Sequence, residues 1–313
     1  MQPRCRRIAD MKRESSKGPK PFLKWVGGKT QLLPELEARL PSDFAETVRV
    51  YAEPFVGGGA LLFHLLSKGI RPERIVINDS NPDLSNAYRT VQSNVDELIV
   101  ALDGLQTNYR AREDEEGRRA FFLSVREAYN NGISERTTNP VKRTAQLLFL
   151  NRTCFNGLHR VNAKGAFNVP FGRYCNPRIC DSGTLLADSV ALVGVEISNG
   201  DFADVVAHAD ADWFVYFDPP YRPLSATSSF CDYTQGGFDD QEQRRLADTC
   251  RALDRIGARW LLSNSDPKGV DPADGFFDEI YAGFEIRGVM ASRMLNANPQ
   301  KRGKLGELLI SNY

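Results

Sequence analysis

The chain has 313 residues, of which 42% are hydrophobic and 26% charged, and its 40 basic and 40 acidic side chains give a formal net charge of zero. This length allows one large α/β domain, or a main domain that carries a smaller inserted one, because single cores stop growing near ~250–300 residues. No apolar run approaches the ~20 residues that a membrane-spanning helix requires, so we expect no membrane partner.

The first 19 residues are basic and polar, and they lack the apolar centre and small-residue cleavage site of a secretory signal. We expect residues 1–19 to form a disordered basic arm. The block KWVGGK at 24–29 follows, just before a predicted helix. In this block the Trp25 ring can cover an adenine-containing cofactor, and Lys29 can hold a carboxylate or a phosphate. It is not a P-loop, because the required glycine-lysine spacing is missing.

The sequence from 48 to 102 predicts the order strand, helix, strand, helix, which is how a parallel doubly wound sheet opens. The first strand runs into a turn of three glycines, and the second strand ends at Asn78-Asp79. The predicted elements are a strand at 48–53, a helix at 60–69, a strand at 74–77 and a helix from 81 to about 102.

Helical periodicity continues from about 110 to 150, whereas residues 151–180 are rich in Asn, Gly, Arg and aromatic side chains. We therefore predict an inserted, mainly helical domain at 103–187. The α/β pattern then resumes, so residues 20–102 and 188–313 are expected to form the main domain together. The elements predicted after the insertion are strands at 195–197, 213–217, 260–263 and 307–311, with a helix at 239–257.

Ligands of an open parallel sheet gather beyond the carboxyl ends of its strands, near the point where the strand order reverses. The first predicted strand ends in Pro54–Gly59, whose glycines let a backbone approach a ligand and whose amides open the next helix. The second ends at Asp79, a carboxylate that can accept both hydroxyls of a ribose. These features fit a nicotinamide enzyme equally well, and a purely structural turn is about as common.

A third predicted strand runs directly into Asp218-Pro219-Pro220-Tyr221. Two adjacent prolines fix a rigid loop, so the Asp218 carboxylate and the Pro219 carbonyl become acceptors that face outward. A planar base stacked on Tyr221 would donate both hydrogens of its amine to these acceptors, which turns the amine lone pair toward a methyl donor. Catalysis would then consist of polarisation and in-line positioning, without a covalent enzyme intermediate. The alternative is a rigid surface turn.

Charge is distributed unevenly along this neutral chain. No acid occurs between Glu135 and Asp181, nor between Glu285 and Glu307. The two windows contain Arg136, Lys142, Arg143, Arg152, Arg160, Lys164, Arg173 and Arg178, and then Arg287, Arg293, Lys301, Arg302 and Lys304. They predict a positive face, with a chance solvated surface as the alternative. The six cysteines show no paired spacing, which indicates neither a metal site nor a disulfide framework and favours a reducing cytoplasm.

Seven blocks, in this order, resemble the Dam family of DNA adenine methyltransferases (D12 class, alpha type), and especially the GATC-specific modification enzymes of restriction systems. They cover about residues 20–313 and read FLKWVGGKTQLLPEL, EPFVGGGALLFHLL, INDSNPDL, NRTCFNGLHRVNAKGAFNVPFGRY, FVYFDPPYRPLSATSSFCDYT, LLSNSD and RGKLGELLISNY. The resemblance implies a Rossmann-like, S-adenosylmethionine-dependent methyltransferase sheet as the catalytic domain, with 103–187 as a target-recognition domain. The implied reaction is direct in-line methylation of N6 of a flipped adenine in double-stranded DNA at 5'-GATC-3'.

The resemblance also implies roles for single residues, carried over by position. S-adenosylmethionine would be bound by Trp25, Lys29, Asp79 and Asp218, in a pocket shaped by Pro54, Phe55 and Gly57. The flipped adenine would be received by Asp218, Pro219 and Tyr221. DNA would be contacted by Lys24, Phe155, Asn156, Leu158, Arg160, Pro170 and Tyr174. Among these, Phe155 would intrude into the duplex and Arg160 would read a guanine edge. His159 stands at a variable position of the family and receives no role.

The resemblance further implies a bacterial, cytoplasmic monomer that acts on DNA, and it is compatible with a cognate restriction endonuclease system without a direct complex. Three alternatives remain open. A relative that binds DNA but has lost catalysis would not need the intact DPPY and KWVGGK blocks. A cytosine-N4 or RNA methyltransferase on the same scaffold is less favoured, because Asp rather than Ser precedes Pro-Pro-Tyr. A nicotinamide oxidoreductase has no use for DPPY.

Overall fold

The structure is a computed structural model that describes residues 18–25, 27–132, 139–223, 238–292 and 304–313. Apart from its last two residues, the arm predicted at 1–19 lies outside this description. Among the residues that the structure describes, no helix combines the length and the apolar character needed to span a bilayer.

Seven strands form one sheet within the described residues. They are β1 Val50–Glu53, β2 Arg74–Asn78, β3 Glu196–Ser198, β4 Trp213–Phe217, β5 Arg259–Ser265, β6 Glu285–Ser292 and β7 Lys304–Ser311. The order is β3-β2-β1-β4-β5-β7-β6. β1 pairs in parallel with β2 and β4, and β4 with β5, whereas β7 runs antiparallel to β5 and β6. The predicted Rossmann-like α/β sheet is confirmed, and its switch point lies between β1 and β4.

The α-helices of the described residues are α1 Leu33–Ala38, α2 Phe44–Thr47, α3 Ala60–Ser67, α4 Pro82–Ser93, α5 Val95–Arg110, α6 Glu115–Asn131, α7 Pro140–Thr153, α8 Ser182–Ala191, α9 Phe202–Val206, α10 Asp240–Arg255 and α11 Phe276–Ile280. Short 3-10 turns lie at Phe155–Gly157 and Pro267–Gly269. Most of the predicted helices are therefore present, including α1 after the KWVGGK block, whereas α2, α8, α9 and α11 escaped prediction.

The single helix predicted from 81 to about 102 is wrong, because the chain forms two helices there. Asn94, with φ −133° and ψ 33°, ends α4 and begins α5. Asp96 and Glu97 lie in the first turn of α5, where acidic side chains stabilise the positive end of a helix dipole. The start was predicted correctly, since the side chain of Asn81 caps α4 by accepting a hydrogen bond from the amide of Asp83.

Contacts divide the chain into two compact units. The helical unit comprises the described parts of Met1–Gly28, Gly57–Gly69 and Asn81–Ile197. The sheet unit comprises the described parts of Lys29–Val56, Ile70–Ser80 and Ser198–Tyr313. The segment 103–187 belongs to the helical unit, and its status as a separate inserted domain stays a prediction.

The core of the sheet unit lies between the strands and three helices. Apolar side chains of α9, α10 and α11, such as Phe202, Leu246 and Phe277, pack against Val215 and Trp260 of the central strands β4 and β5. Trp260 is fully buried. This packing covers one face of the sheet and holds the carboxyl ends of β1, β4 and β5 in fixed register.

A buried ion pair joins three helices of the helical unit. Arg143 of α7 makes two hydrogen bonds to Asp83 of α4, at 2.7 and 2.8 Å, and Tyr129 of α6 donates its hydroxyl to the same carboxylate at 2.5 Å. Burial opposes ionisation of Asp83, but the hydrogen bonds and charge of Arg143 outweigh it, so the pKa of Asp83 is lowered. A pair satisfied in this way is costly to break from one side.

A second buried carboxyl, Asp188 of α8, lacks such a partner. Its Oδ1 accepts a hydrogen bond from the amide of Lys20 at 2.9 Å, while its Oδ2 is buried without a hydrogen bond among the described residues. Burial raises the pKa of Asp188 to about 8. Since the ordinary value is 3.8, folding requires the carboxyl to stay protonated across the neutral range.

We expect Asp188→Asn to stabilise the protein, and to do so more at pH 8 than at pH 5. The folded-state pKa lies above the unfolded value, so the stability tied to this group is present at low pH and is lost as the pH rises toward 8. An amide keeps the acceptor for Lys20 and cannot ionise, so it avoids the cost of a buried charge that grows as the pH rises. Thermal unfolding at both pH values tests this, with the exposed Asp204→Asn as control. An equal gain at both would contradict it.

Candidate active site and nucleic-acid interface

The predicted functional groups of the sheet unit stand at the ends of parallel strands. β1 runs into Pro54, β2 into Asp79 and β4 into Asp218. Asn78 ties two of these ends together, because its side-chain amide donates to the carbonyls of Pro54 and Gly200, each at 3.0 Å. Hydrogen bonds from Asn78 therefore hold the loops beside the switch point in place.

The Asp218 carboxylate is oriented by two donors that meet on one oxygen. Lys29 Nζ lies 2.8 Å from Asp218 Oδ1, and the hydroxyl of Ser263, on β5, donates to the same oxygen at 2.9 Å. The Lys29 side chain is 4% exposed and that of Asp218 is 22% exposed. No donor from the described residues is directed at Oδ2. One carboxylate oxygen is thus fixed by two contacts within the protein.

The two prolines after Asp218 form the rigid corner that the sequence predicted. Pro219 is buried, and the Pro220 carbonyl accepts a hydrogen bond from the side-chain amide of Gln243 at 3.0 Å. Gln243 lies on α10 and in turn accepts a hydrogen bond from Asn264 of β5 at 3.1 Å. A helix and a neighbouring strand therefore clamp the loop, which keeps its acceptors in place before any ligand arrives.

Tyr221 is the last residue of the corner and is half-buried, and both its hydroxyl and its ring face contact other side chains. Its hydroxyl donates to Glu307 Oε2 at 2.6 Å, and Lys29 Nζ lies 4.4 Å from the centroid of its ring. Burial, together with the negative charges of Asp218 and Glu307, raises the pKa of Tyr221 well above its usual range. The phenol therefore stays protonated at neutral pH, and Tyr221 offers a flat aromatic ring.

Two other predicted residues of the sheet unit flank the switch point. Phe55 is half-buried and packs against Phe202 and Phe238, with ring centroids 5.2 and 5.6 Å apart. Asp79 is half-buried, and its backbone carbonyl accepts a hydrogen bond from Asn199 at 2.7 Å. Phe55 follows β1, the neighbour of β4, and Asp79 follows β2, the neighbour of β1. Both therefore lie near the carboxyl ends of parallel strands, as the sequence predicted.

In the helical unit, Trp25 lies against the glycine turn. Gly57 has φ +48°, and a Cβ on it would come 2.9 Å from Cδ1 of Trp25, so only glycine allows this approach. The His159 ring lies near the same indole, with centroids 4.9 Å apart. His159 is 5% exposed, and burial lowers its pKa to about 4, which keeps it neutral at physiological pH. The residue that received no role from the sequence is therefore a packing partner of Trp25.

The predicted DNA-contacting residues of the helical unit lie around one exposed turn. Phe155 is 49% exposed, and its amide donates to the Pro170 carbonyl at 2.9 Å. Asn156 has φ 56°, a left-handed conformation that asparagine tolerates well. Lys24 Nζ lies 6.0 Å from the ring centroid of Tyr174, which is 36% exposed.

The remaining two members of this set complete the turn. Leu158 is half-buried, and its carbonyl accepts a hydrogen bond from the Cys154 thiol at 3.2 Å. Arg160 is exposed, and its Nε donates to Asn168 Oδ1 at 2.7 Å. A second guanidinium nitrogen of Arg160 donates to the Asn168 carbonyl at 3.4 Å, so Asn168 holds an otherwise exposed side chain.

The predicted positive face is smaller than the charge count indicated. Arg143 is paired inside with Asp83, and Arg152 donates to the Phe22 carbonyl at 2.8 Å while burial lowers its pKa, so the prediction was wrong for both. Ion pairs also engage Arg173 with Glu115, Arg178 with Asp181 and Arg287 with Glu285. Lys142, Arg160 and Lys164 are exposed, whereas Arg136, Arg293, Lys301 and Arg302 lie outside the described residues.

Ser263 and Glu307 are the site residues that sequence reasoning missed. Both occur in blocks that carried the resemblance, LLSNSD and RGKLGELLISNY, but neither block suggested a role. Ser263 lies 45 positions from Asp218, and Glu307 lies 86 positions from Tyr221. Spacing along the chain does not reveal contacts of this range, which depend on the pairing of β4, β5 and β7.

Residues 25–295 match the family described as D12 class N6 adenine-specific DNA methyltransferase. The chain belongs to this family. The methyltransferase is 48% identical over 296 residues to the Type II methyltransferase M.MjaIII of Methanocaldococcus jannaschii, a match covering 94% of this chain and 99% of that protein. It is 39% identical to the Type II methyltransferase M1.LlaDCHI of Lactococcus lactis subsp. cremoris, over 94% of this chain and 95% of that one.

A DNA adenine methylase of Escherichia coli strain K12 is also similar, at 32% identity over 92% of this chain and 93% of that protein. These matches confirm the resemblance drawn from the seven blocks. The methyltransferase acts on adenine N6 in DNA, and the predicted enzyme class is confirmed.

We expect Ser263→Ala to lower kcat of the methyltransferase about tenfold, the equivalent of ~1.4 kcal/mol, because Asp218 loses one charge-assisted donor. The Michaelis constants should change little, since the Ser263 hydroxyl is engaged by Asp218 and Tyr216 inside the protein. Steady-state methyl transfer to DNA measures both quantities. Ser124→Ala, which removes an exposed hydroxyl that bonds only to its own helix, is the control. An unchanged kcat would contradict the assigned role.

Proposed function

We propose that this methyltransferase modifies adenine N6 in double-stranded DNA at 5'-GATC-3', with S-adenosylmethionine as methyl donor and with the target base flipped out of the helix. One observation carries the proposal. The Asp218 carboxylate is held through Oδ1 by Lys29 and Ser263, on a proline corner that ends in the Tyr221 ring. This arrangement supplies an anchored acceptor beside a flat surface, as an extruded amino-bearing base requires.

The side chains of the sheet unit fit the chemistry of the proposed donor. A carboxylate suits a ribose diol, and Asp79 ends the strand beside β1; an aromatic ring suits adenine, and Phe55 is half-buried and not fully enclosed. Pro54 shapes the same turn, and Lys29 and Asp218 add the charges that a zwitterionic ligand pairs with. When bound, S-adenosylmethionine supplies an electrophilic methyl group on a sulfonium. In the helical unit the resemblance assigns Trp25 and Gly57, which contact each other there.

The residues of the corner would activate the amine without forming a covalent bond to it. Asp218 Oδ2 and the Pro219 carbonyl each accept one amine hydrogen, which draws the nitrogen out of conjugation with the ring. Tyr221 stacks on the base and fixes its plane. As the nitrogen forms its bond to the methyl carbon, the bond from that carbon to sulfur would break and leave a neutral thioether. The nitrogen becomes positive, and the Asp218 carboxylate would stabilise that charge until one proton leaves to water. Catalysis of this kind depends on preorganised acceptors and on alignment.

We expect Asp218→Ala to lower methyl transfer at least about 1,000-fold, by analogy with the loss of a preorganised electrostatic group. The affinity for a GATC duplex should stay within about threefold, because Asp218 contacts only the amine of the extruded base and the proposed contacts to the rest of the duplex come from other residues. Tritiated-methyl transfer measures the first quantity and filter binding the second. Retained methylation of the duplex by the variant would refute the catalytic role of Asp218.

Recognition of the target sequence is proposed to come from the exposed turn of the helical unit. Arg160 presents its guanidinium to solvent, and a bidentate arginine is the commonest reader of guanine in the major groove. The exposed ring of Phe155 is suited to enter the duplex where the adenine leaves it. Extrusion of a base costs a few kcal/mol, and contacts of this kind and with phosphates offset part of that cost.

We expect Arg160→Ala to relax discrimination at the guanine position by about 1–3 kcal/mol, which corresponds to about 5–150-fold in the ratio of kcat/KM for GATC over a duplex with that base changed. Lys164→Ala is the matched control, since Lys164 is exposed in the same segment. It should weaken binding equally for both duplexes and reduce its salt dependence. If the two variants behaved alike, Arg160 would not be the reader of guanine.

A further inference from the structure

We propose that Glu307 is a positioning residue of the reaction, which acts on Asp218 through Tyr221 and Lys29. The inference rests on the proposed roles of Asp218 and Tyr221 and adds to them a residue that would touch neither the base nor the methyl donor. It is carried by a continuous series of contacts within the sheet unit.

The contacts join four side chains, which we call the Glu307 chain: Glu307, Tyr221, Lys29 and Asp218. Glu307 Oε2 accepts the Tyr221 hydroxyl at 2.6 Å. Lys29 Nζ lies 4.4 Å from the centroid of the Tyr221 ring and 2.8 Å from Asp218 Oδ1. Glu307 on β7 therefore fixes the position of Tyr221, the Tyr221 ring helps to fix Lys29, and Lys29 fixes Asp218, the proposed acceptor.

Glu307 is itself held in place by the sheet. It lies on β7 between two strands, opposite Ser265 of β5 and Val289 of β6. Its side chain is buried, with 7% exposure. A buried carboxylate is costly unless it is satisfied by a donor, and here the Tyr221 phenol provides a short hydrogen bond. Because β7 is paired on both edges, the position of Glu307, the first residue of the Glu307 chain, is fixed.

The negative charge of Glu307 affects the ring as well as its position. A phenol that donates to a carboxylate gains electron density in its π system, which strengthens attraction of an ammonium to the ring face. Lys29 would then sit between two attractions, the Tyr221 ring and the Asp218 carboxylate. A neutral glutamine at 307 keeps a hydrogen-bond acceptor but loses this charge. Glutamate and glutamine should therefore differ in kcat even though both can hold the hydroxyl.

A double-mutant cycle with Tyr221→Phe tests whether Glu307 acts through the hydroxyl. We expect Glu307→Ala to lower kcat about tenfold, with the Michaelis constants for DNA and S-adenosylmethionine within twofold of the original. Glu307→Gln should recover part of the loss. In a protein that already carries Tyr221→Phe, Glu307→Ala should lower kcat by less than a further twofold, because the hydrogen bond that it removes is already absent.

Glu285→Gln is the matched control, since Glu285 is an acid of the neighbouring strand β6 that pairs with Arg39 and Arg287. It should leave kcat unchanged. Additive losses in the double variant, or an unchanged kcat together with a lower melting temperature, would overturn the proposal. If Glu307→Ala does not fold, the same cycle is measured with Glu307→Gln. Absence of methylation by the original chain would instead contradict the proposed function.

Discussion

The buried ion pair between Lys29 and Asp218 is the interaction on which the site depends. A lysine that is 4% exposed is tolerated only when its charge is matched, and Asp218 provides the match at 2.8 Å. The pair determines more than charge balance, because it engages one carboxylate oxygen, and in the proposed mechanism the other oxygen accepts the amine hydrogen of the base. The clamp on Pro220 and the hydroxyl of Ser263 both serve to hold this geometry.

The sheet explains why such distant residues meet. β4 delivers Asp218 at its carboxyl end, β5 lies beside it with Ser263, and β7 is inserted antiparallel next to β5 with Glu307. The antiparallel direction of β7 matters, since it brings the start of that strand to the edge where the parallel strands end. The electrostatics of the corner thus follow from strand order as much as from the DPPY sequence.

Those features that depend on contiguous sequence could be predicted from it. The strand at 213–217 is a continuous apolar run, which is typical of strands buried on both faces, and the proline corner follows it directly. Edge strand β6 escaped prediction because its residues 285–290 are mostly exposed and carry little apolar pattern. Ser263 and Glu307 could not be assigned, because their contacts span 45 and 86 positions. Charge counting failed at Arg143, whose partner Asp83 is 60 positions away.

In the turn at 155–160 some side chains face solvent and others face the protein interior. Phe155, Asn156 and Arg160 face solvent, whereas Gly157 and His159 are buried, the latter against Trp25. If this turn reads the target as proposed, changes of sequence preference are confined to its outward positions. An inward substitution would also displace the indole that packs against His159, so the buried half of the loop limits which new specificities this scaffold can acquire.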